Sequence, residues 1–490
     1  MIELPDERAE GAYRRVIACL AVLAVVLLAY PALRMGWDFE IDNTEGWNAY
    51  HQMRALAGLP LYEGGSAYFF NNYPPLSFYL VGAFSLVVGE VNLAGRVLSF
   101  AAMLGLCAAV GSIVRSGGGS RLDARFGAVT CALFFAAFAT DYLGKNNPQL
   151  LGEAFVVSGL AVYLRQPGRA ASAALAALLF ALGVLTKHSL IGLPLLVGAD
   201  LLIRGKARPR LVYFATGLGL AALSAALLWG LAGKAFFTQL LASRTWDVAR
   251  SFLFTTEIAG QFQAPLAVVG LALIHTRKTR PAGLILAYLG AALSLGIFYS
   301  GGAGTDINVF FDVFIALAIG AGLSLHLIAR DGARAALALV INAGVLFYTP
   351  FCLGRFGVDI TGEMDSREQL FHEDVAYLKA IPGVALCQSH LLCLRAGKPA
   401  FWDPINTLQA MLAGRLPADT LTGMLRRHEI AVVEISDPPV HAEDNNPGTQ
   451  SMPARWMDFQ DEVFEVLKQE YVLDRISLSG RFYRPRTSLR

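Results

Sequence analysis

What this 490-residue chain has least of is charge: 16% of its residues are Asp, Glu, Lys or Arg, against roughly 25% in an average soluble domain. Length alone suggests about three soluble domains, and the shortage of charge excludes that for most of the chain. The apolar residues, 55% of the total, come in long blocks separated by short Arg-rich turns, and mean hydropathy is +0.49. An excess of either sign is missing too. A net charge of +2 leaves no electrostatic footprint for a nucleic-acid partner. No internal repeat points to a transporter built from two matching halves. No small-residue cleavage site follows the first apolar block, so a cleavable signal peptide is not expected. Cysteine is scarce, and its spacing fits no common zinc pattern. Cys19, Cys107, Cys131 and Cys352 read as small apolar packing residues. Cys387 and Cys393 lie in a polar tail, where an oxidising compartment would permit a disulfide whose connectivity the sequence does not give.

What is present is a series of candidate membrane spans. Apolar blocks lie near 16–33, 93–114, 126–142, 150–164, 171–186, 189–203, 211–231, 264–275, 281–299, 310–328 and 335–352. A spanning helix needs about 20 mostly apolar residues. The expected fold is mainly α: a polytopic membrane helix bundle of about eleven spans, an interfacial first outer loop, and a small C-terminal α/β soluble domain. The charge is sorted accordingly. Residues 1–352 hold 25 Lys+Arg and 19 Asp+Glu (net +6), and residues 353–490 hold 15 and 19 (net −4). Basic turns (Arg8/Arg14/Arg15, Arg115/Arg121/Arg125, Arg165/Arg169, Arg204 to Arg210, Arg277/Lys278/Arg280, Arg330/Arg334) all fall on one side if the N-terminus is cytoplasmic. That places the tail, 353–490, in the periplasm of a bacterial inner membrane. The apolar stretch Leu76–Val88 is too short to count as a span and reads as interfacial or re-entrant, so 34–92 forms one long outer loop.

In the tail, Val384–Ser389 and Ile430–Ser436 read as strands. Pro404–Gly414, Ala418–His428 and Arg455–Glu470 read as helices, and Tyr471–Ile476 with Arg481–Tyr483 as a hairpin around Gly480. Asp437–Pro453 reads as a loop.

The first outer loop carries the richest chemistry. Asp38, Glu40, Asp42 and Glu45 put four carboxylates within eight residues. Downstream, Trp47, Tyr50, Met53, Leu56 and Ala57 recur at helical spacing, with Asn48, His51 and Gln52 between, as in a short amphipathic interfacial helix. Asn43 or Thr44 would cap it, with Glu45 in its first turn. Such a cluster equally suits a solvated, capped surface helix. A catalytic role has a definite requirement. Moving a sugar from a lipid phosphate to a hydroxyl needs a carboxylate at the membrane surface to take the hydroxyl proton. It also needs cations or amides to hold the phosphate charge. Outer-side candidates for the phosphate are Lys145, Lys187, His188, Arg244 and Arg250; snorkelling to lipid headgroups is the competing account. Asp306 and Asn308 lie in a Gly-rich stretch that opens an inward span and could present backbone N–H groups to a phosphate or sugar. Asn308 and Asp312 share one helix face. A divalent cation would find oxygen ligands there, though few, and no other cofactor is implied.

At these residues the chain resembles a known family. Asp42-x-x-Glu45-Gly46, Leu61-Tyr62, Tyr73-Pro74-Pro75-Leu76 and Gly95-Arg96 look like the opening part of the C-type (GT-C) membrane glycosyltransferases. So do Asn147-Pro148-Gln149, Leu185-Thr186-Lys187, Gly302-x-Gly304-x-Asp306-x-Asn308, Ala396-Gly397-Lys398-Pro399 and Asp403-Pro404. The likeness is narrower to bacterial relatives of the protein O-mannosyltransferases and of the lipid A aminoarabinose transferases. It implies an outer-face site, a polyprenyl-phosphate sugar donor, and a glycan, lipid or protein acceptor. Catalytic carboxylates would be Asp42 and Glu45, with Tyr73, Asn147, Gln149, Asp306 and Asn308 contacting substrate. Three departures stand out. Thr44 precedes Glu45 where many relatives have adjacent Asp-Glu; Tyr73 replaces a Lys; Asn147 replaces an Asp and cannot act as a base. Asp42 is preferred as base, with Glu45 as partner. A flippase or other transporter, or a polymerase or ligase for lipid-linked glycans, is the alternative. A transporter would line the bundle with charge at mid-membrane, and here only Glu153 and Asp200 depart from the outer ends.

Overall fold

The computed structural model describes residues 10–62, 68–436 and 459–486. Six helices among them are long and apolar enough to cross a bilayer: Gly11–Arg34, Val91–Ser116, Ala207–Leu240, Val248–Thr276, Arg280–Ser300 and Ile307–Leu325. Asp331–Ile341 and Ala343–Ala380, bent by 51°, pass the same test as a pair. The chain is a polytopic membrane protein. In chain order the helices used below are α1 (Glu10–Arg34), α2 (Thr44–Leu56), α3 (Leu76–Val88), α4 (Val91–Ser116), α5 (Arg121–Phe138) and α6 (Gln149–Arg165). They continue with α7 (Ala170–Thr186), α8 (Gly192–Arg204), α9 (Ala207–Leu240), α10 (Val248–Thr276), α11 (Arg280–Ser300) and α12 (Phe311–Leu325).

The expected blocks near 126–142, 150–164, 171–186 and 189–203 became α5 to α8, of 18, 17, 17 and 13 residues. At 1.5 Å per residue these reach about 20–27 Å, less than a hydrocarbon core of about 30 Å. A spanning helix usually has about 17–25 residues, so α5, α6 and α7 stand at the lower edge of that range and α8 below it. The stretch Leu76–Val88 is a separate 13-residue helix, closed by Gly89 in the left-handed region (φ 92°).

Burial sorts these helices. Every residue of α12 except Asp312 is buried, and it runs through the centre of the bundle. Helix α9 instead turns Leu211, Leu218, Leu223, Leu227, Trp229 and Leu231 outward, an apolar face suited to lipid. Two buried carboxylates on the bundle's helices carry arginine partners. Asp123 pairs with Arg334, and Asp200 with Arg280 at 2.7 Å. Such pairing is what a charge removed from water requires.

Residue 353, the expected start of the tail, lies inside a helix. Helix α14 (Ala343–Val358; α13 is Asp331–Ile341) continues through that point, and a π-helical turn at Asp359–Glu363 leads into α15 (Met364–Ala380). Beyond it a four-stranded sheet forms from β1 (Ala385–Cys387), β2 (Val432–Ile435), β3 (Tyr471–Ile476) and β4 (Arg481–Pro485), in the order β1-β2-β4-β3. β1 and β2 are parallel, and β4 is antiparallel to both its neighbours. Gly480 turns the hairpin with φ 148°. Helices α16 (His390–Arg395), α17 (Pro404–Leu412) and α18 (Thr420–Arg426) and the helix Asp461–Glu470 pack on the sheet. The expected loop Asp437–Pro453 lies outside the described residues. Cys387 and Cys393 are joined in a disulfide, Cα atoms 5.9 Å apart.

One strand residue gives the tail a pH dependence. Glu434 is fully buried in β2, and burial pushes its carboxyl up to about 7 despite hydrogen bonds from Ser389 N–H and Ser436 Oγ. Its ordinary value is 4.5, so between about pH 4.5 and 7 the folded state keeps a proton that the unfolded chain has lost. Stability from this group is full at low pH and falls as the pH rises towards 7, by roughly 3 kcal/mol at most. Melting temperatures of Glu434→Gln across pH 5 to 7 should follow a flatter curve than the wild type.

Candidate active site

The first outer loop is held from two sides. On the bundle side, Glu45 is completely buried and meets Arg96 of α4 in a paired fork, Nε to Oε1 at 2.9 Å and Nη2 to Oε2 at 2.6 Å. The backbone N–H groups of Ile41 (2.8 Å) and Asn146 (2.9 Å) donate to the same carboxylate. Arg96 also reaches the carbonyls of Trp37 and Phe39. Gly95 is needed beside it, because a Cβ there would lie 1.9 Å from the Asn146 amide oxygen. Glu45 thus ties loop 35–43, α4 and the segment before α6 together, and it does not line the cavity described below.

On the tail side, Glu40 accepts from Gly46 N–H, from Leu391 N–H and from Ser389 Oγ. Burial raises its carboxyl well above the ordinary value. Asp38 pairs with Arg395 at 2.6 Å, and Arg395 also meets Glu90. Trp47 Nε1 donates to Asp403 Oδ2 at 3.2 Å and to the Phe70 carbonyl. Gly46 passes so close to α16 that a Cβ would lie 2.0 Å from Leu391 N. Backbone on both sides leaves nothing flexible to move. Gly46→Ala should therefore cost about 1–3 kcal/mol and loosen the tail, seen as a lower melting temperature and faster proteolysis between the loop and the tail.

Helix α2 differs from the expected wet-faced interfacial helix. Asn48, His51 and Gln52 are all buried, because α16, α3 and the segment 140–148 cover that side. Gln52 and Asn146 exchange amide hydrogen bonds at 2.7 and 2.8 Å. The capping differs too. Asn43 makes no side-chain cap; Asp42 accepts from Thr44 N–H (2.8 Å) and Oγ1 (2.5 Å).

Between bundle and tail lies a cavity of about 830 Å³. Asp42 lines it, with its side chain 36% exposed, and pairs with the buried Lys145. Burial acts to lower the Lys145 ammonium, but Asp42 beside it prevails and holds it above its ordinary value. The same Nζ sits 4.0 Å from the Tyr142 ring centroid. Tyr142 donates to Asp306 Oδ2 at 3.0 Å, and its phenol is raised well above the ordinary value by burial and then by Asp306. Turned with its oxygen towards the lysine, the Asn308 amide accepts from Lys187 Nζ at 3.0 Å. Gln149 donates to Glu153 at 2.7 Å and stands 3.0 Å from Asn308. Lys187 also lies over the Tyr73 ring, and Tyr73 packs edge-on against Trp47.

The twelve candidate residues therefore separate. Asp42, Tyr73, Asn147, Gln149, Lys187, His188, Arg244, Asp306 and Asn308 share the cavity wall. Glu45, Lys145 and Arg250 do not. Lys145 is spent on Asp42. Arg250 is buried under the Gly-rich stretch, bonded to the carbonyls of Ser300, Gly302 and Thr305, so it shapes that stretch. Among the described residues no three His, Cys, Asp or Glu side chains are grouped to hold a metal ion.

No protein-family model and no curated protein matches the sequence. Solved structures do match. ArnT from Cupriavidus metallidurans bound to undecaprenyl phosphate superposes with a TM-score of 0.60, covering 96% of this chain and 98% of that one at 14% identity. The Archaeoglobus fulgidus oligosaccharyltransferase in its apo form gives 0.58 at 13% identity, covering 96% and 74%. The mycobacterial arabinofuranosyltransferase AftD gives 0.52 at 14% identity, covering 96% and 41%. This is the fold of the GT-C glycosyltransferases.

In this GT-C fold part of the cavity wall went unread in the sequence. Tyr142 lines it from the bundle, beside Glu153 and Asp312, which the sequence singled out without placing at this site, and Gln388, Asn406, Gln409 and Arg415 line it from the tail. Tyr142 belongs to a short 3₁₀ turn whose carbonyls Arg34 caps from α1. No local pattern marks the tail residues; they reach the cavity only because α2 and α16 dock. The basic pair Arg244 and Arg415 follows from that docking. Arg244 bonds the Ala303 carbonyl and Asn406, and Arg415 the Ser243 carbonyl.

Proposed function

We propose that the protein transfers a hexosyl or pentosyl unit from a polyprenyl-phosphate donor to a hydroxyl of a glycan, lipid or protein acceptor. The reaction takes place on the outer face of the bacterial inner membrane. The N-terminus is cytoplasmic and the tail periplasmic, as the Lys/Arg-rich turns require. The observation that carries this reading is one cavity with a lysine-paired carboxylate, Asp42, on its wall and cations, Lys187 and Arg244, on the same wall.

Asp42 takes the acceptor's hydroxyl proton as the new glycosidic bond forms and the sugar–phosphate bond breaks. The departing lipid phosphate is held by Lys187, His188 and Arg244. Glu45 acts through position alone: with Arg96 it fixes the backbone from which Asp42 projects. Lys145 orients Asp42. The resident cation of the site is Lys187 in this reading, and no step needs a metal.

Sugar-free polyprenyl phosphate tests the phosphate assignment. Lys187→Ala should weaken its binding by roughly tenfold or more, since a charged hydrogen bond is worth about 1.5–3 kcal/mol. Equal affinity in wild type and variant would remove Lys187 from the phosphate site.

A further inference from the structure

Buried carboxylates in the helix bundle follow a rule with one exception. Glu45 has Arg96, Asp123 has Arg334, Asp200 has Arg280, and Asp359 has Arg355 within 3.9 Å. Glu153 makes no ion pair among the described residues, and neither does its half-buried neighbour on the cavity wall, Asp312. Glu153 is 1% exposed and receives one hydrogen bond, from Gln149 to Oε1. Its Oε2 is buried with no hydrogen-bond partner. Asp312 accepts from Tyr288. Both acids line the cavity that Asp42 lines.

Their depth is informative. Helix α6 starts at Gln149, so Glu153 lies about 6 Å along it from the end nearest Asp42. Asp312 sits in the first turn of α12. An acid with a bare oxygen in a bundle is costly to keep unless a ligand supplies the missing donor. Glu45 shows the opposite arrangement in the same protein, with both of its oxygens fully bonded.

We propose that Glu153, with Gln149 and Asp312, reads the donor's sugar ring. Its unpartnered oxygen accepts a hydrogen bond from one ring substituent, a hydroxyl or an ammonium. This rests on the donor reading above and adds the specificity determinant to it. Sugar and phosphate then divide the cavity between the acid pair and Lys187. The two parts are neighbours: the Asn308 amide stands 3.0 Å from both Lys187 Nζ and Gln149 Oε1, and Gln149 donates to Glu153.

The test uses the full-length purified protein and donors that differ at single ring positions, each carrying hydroxyl, hydrogen or amino. Sugar-free polyprenyl phosphate is measured alongside. Glu153→Ala should lower kcat/KM for the preferred sugar roughly 10- to 100-fold and erase discrimination against the matching deoxy donor. Affinity for polyprenyl phosphate should stay at the wild-type level. Its melting temperature should equal or exceed the wild type's, because an underbonded buried acid has been removed; a purely structural Glu153 would lower it.

Glu153→Gln separates the two substituents and serves if the alanine variant fails to fold. Its amide oxygen must face the Gln149 donor, which puts its NH₂ where the unpartnered oxygen stood. A hydroxyl can accept from that group and keeps most activity; an ammonium cannot and loses it. Either result supports the proposal when confined to one ring position. Wild-type discrimination at every position in Glu153→Ala, with phosphate binding intact, overturns it. If the wild type binds neither polyprenyl phosphate nor any donor, the transferase reading fails first and this inference with it.

Discussion

Asp42→Asn is expected to lower turnover about 100- to 10,000-fold with donor affinity close to the wild type, and to lower the melting temperature because the buried Lys145 loses its partner. Asn keeps the shape that accepts from Thr44 N–H and Oγ1, so the N-terminus of α2 stays formed. It cannot take a proton. Loss of the negative charge frees Lys145 from its partner, but that lysine still has the Tyr142 ring against it. The effect should therefore appear in kcat with little change in KM, read by single-turnover transfer from a labelled donor. A similar loss in both would mean that Asp42 serves binding.

Arg96→Met is expected to act chiefly through stability. Glu45 would remain in a completely buried site with its guanidinium partner gone, and an orphaned buried charge costs about 3–5 kcal/mol. The melting temperature should drop sharply, and activity should vanish together with the folded first loop. Adding Glu45→Gln should recover part of the stability, because the pair is coupled and the second change removes the stranded charge. Recovery of stability without activity would show that the pair positions the loop and takes no part in proton transfer. Thermal unfolding of the two single variants and the double variant in detergent measures the coupling directly.

The parts of the molecule that follow from local pattern were legible in the sequence. Long apolar runs became α1, α4, α9, α10, α11 and α12, and the strands expected within 384–389 and 430–436 became β1 and β2, with a hairpin turning at Gly480. Asp42, Lys187, Asp306 and Asn308 reached one cavity although 266 residues of sequence separate Asp42 from Asn308. What local pattern could not give was partnership. Glu45 and Arg96 lie 51 residues apart, and nothing in either neighbourhood says which carboxylate of the cluster is consumed by an arginine. The same holds for α2. Its alternation of Trp47, Tyr50 and Met53 with polar residues describes an amphipathic helix, yet Gln52 is buried because Asn146 arrives from another segment to satisfy it. Helix length was the other blind spot. Hydropathy marks α6 to α8 as membrane material, but only their ends, set by Pro148, Lys187 and Arg204, show how short they are.

The central claim is that bond cleavage at the donor's sugar–phosphate linkage takes place in this cavity. Purified protein in proteoliposomes, given a labelled polyprenyl-phosphate sugar and an acceptor extract, tests it by following free lipid phosphate and labelled acceptor over time. The account predicts that both appear in equal amounts with the wild type and that neither appears with Asp42→Asn, although the variant still binds the donor. Intact donor crossing the bilayer without cleavage, or equal release of lipid phosphate by wild type and Asp42→Asn, would contradict it.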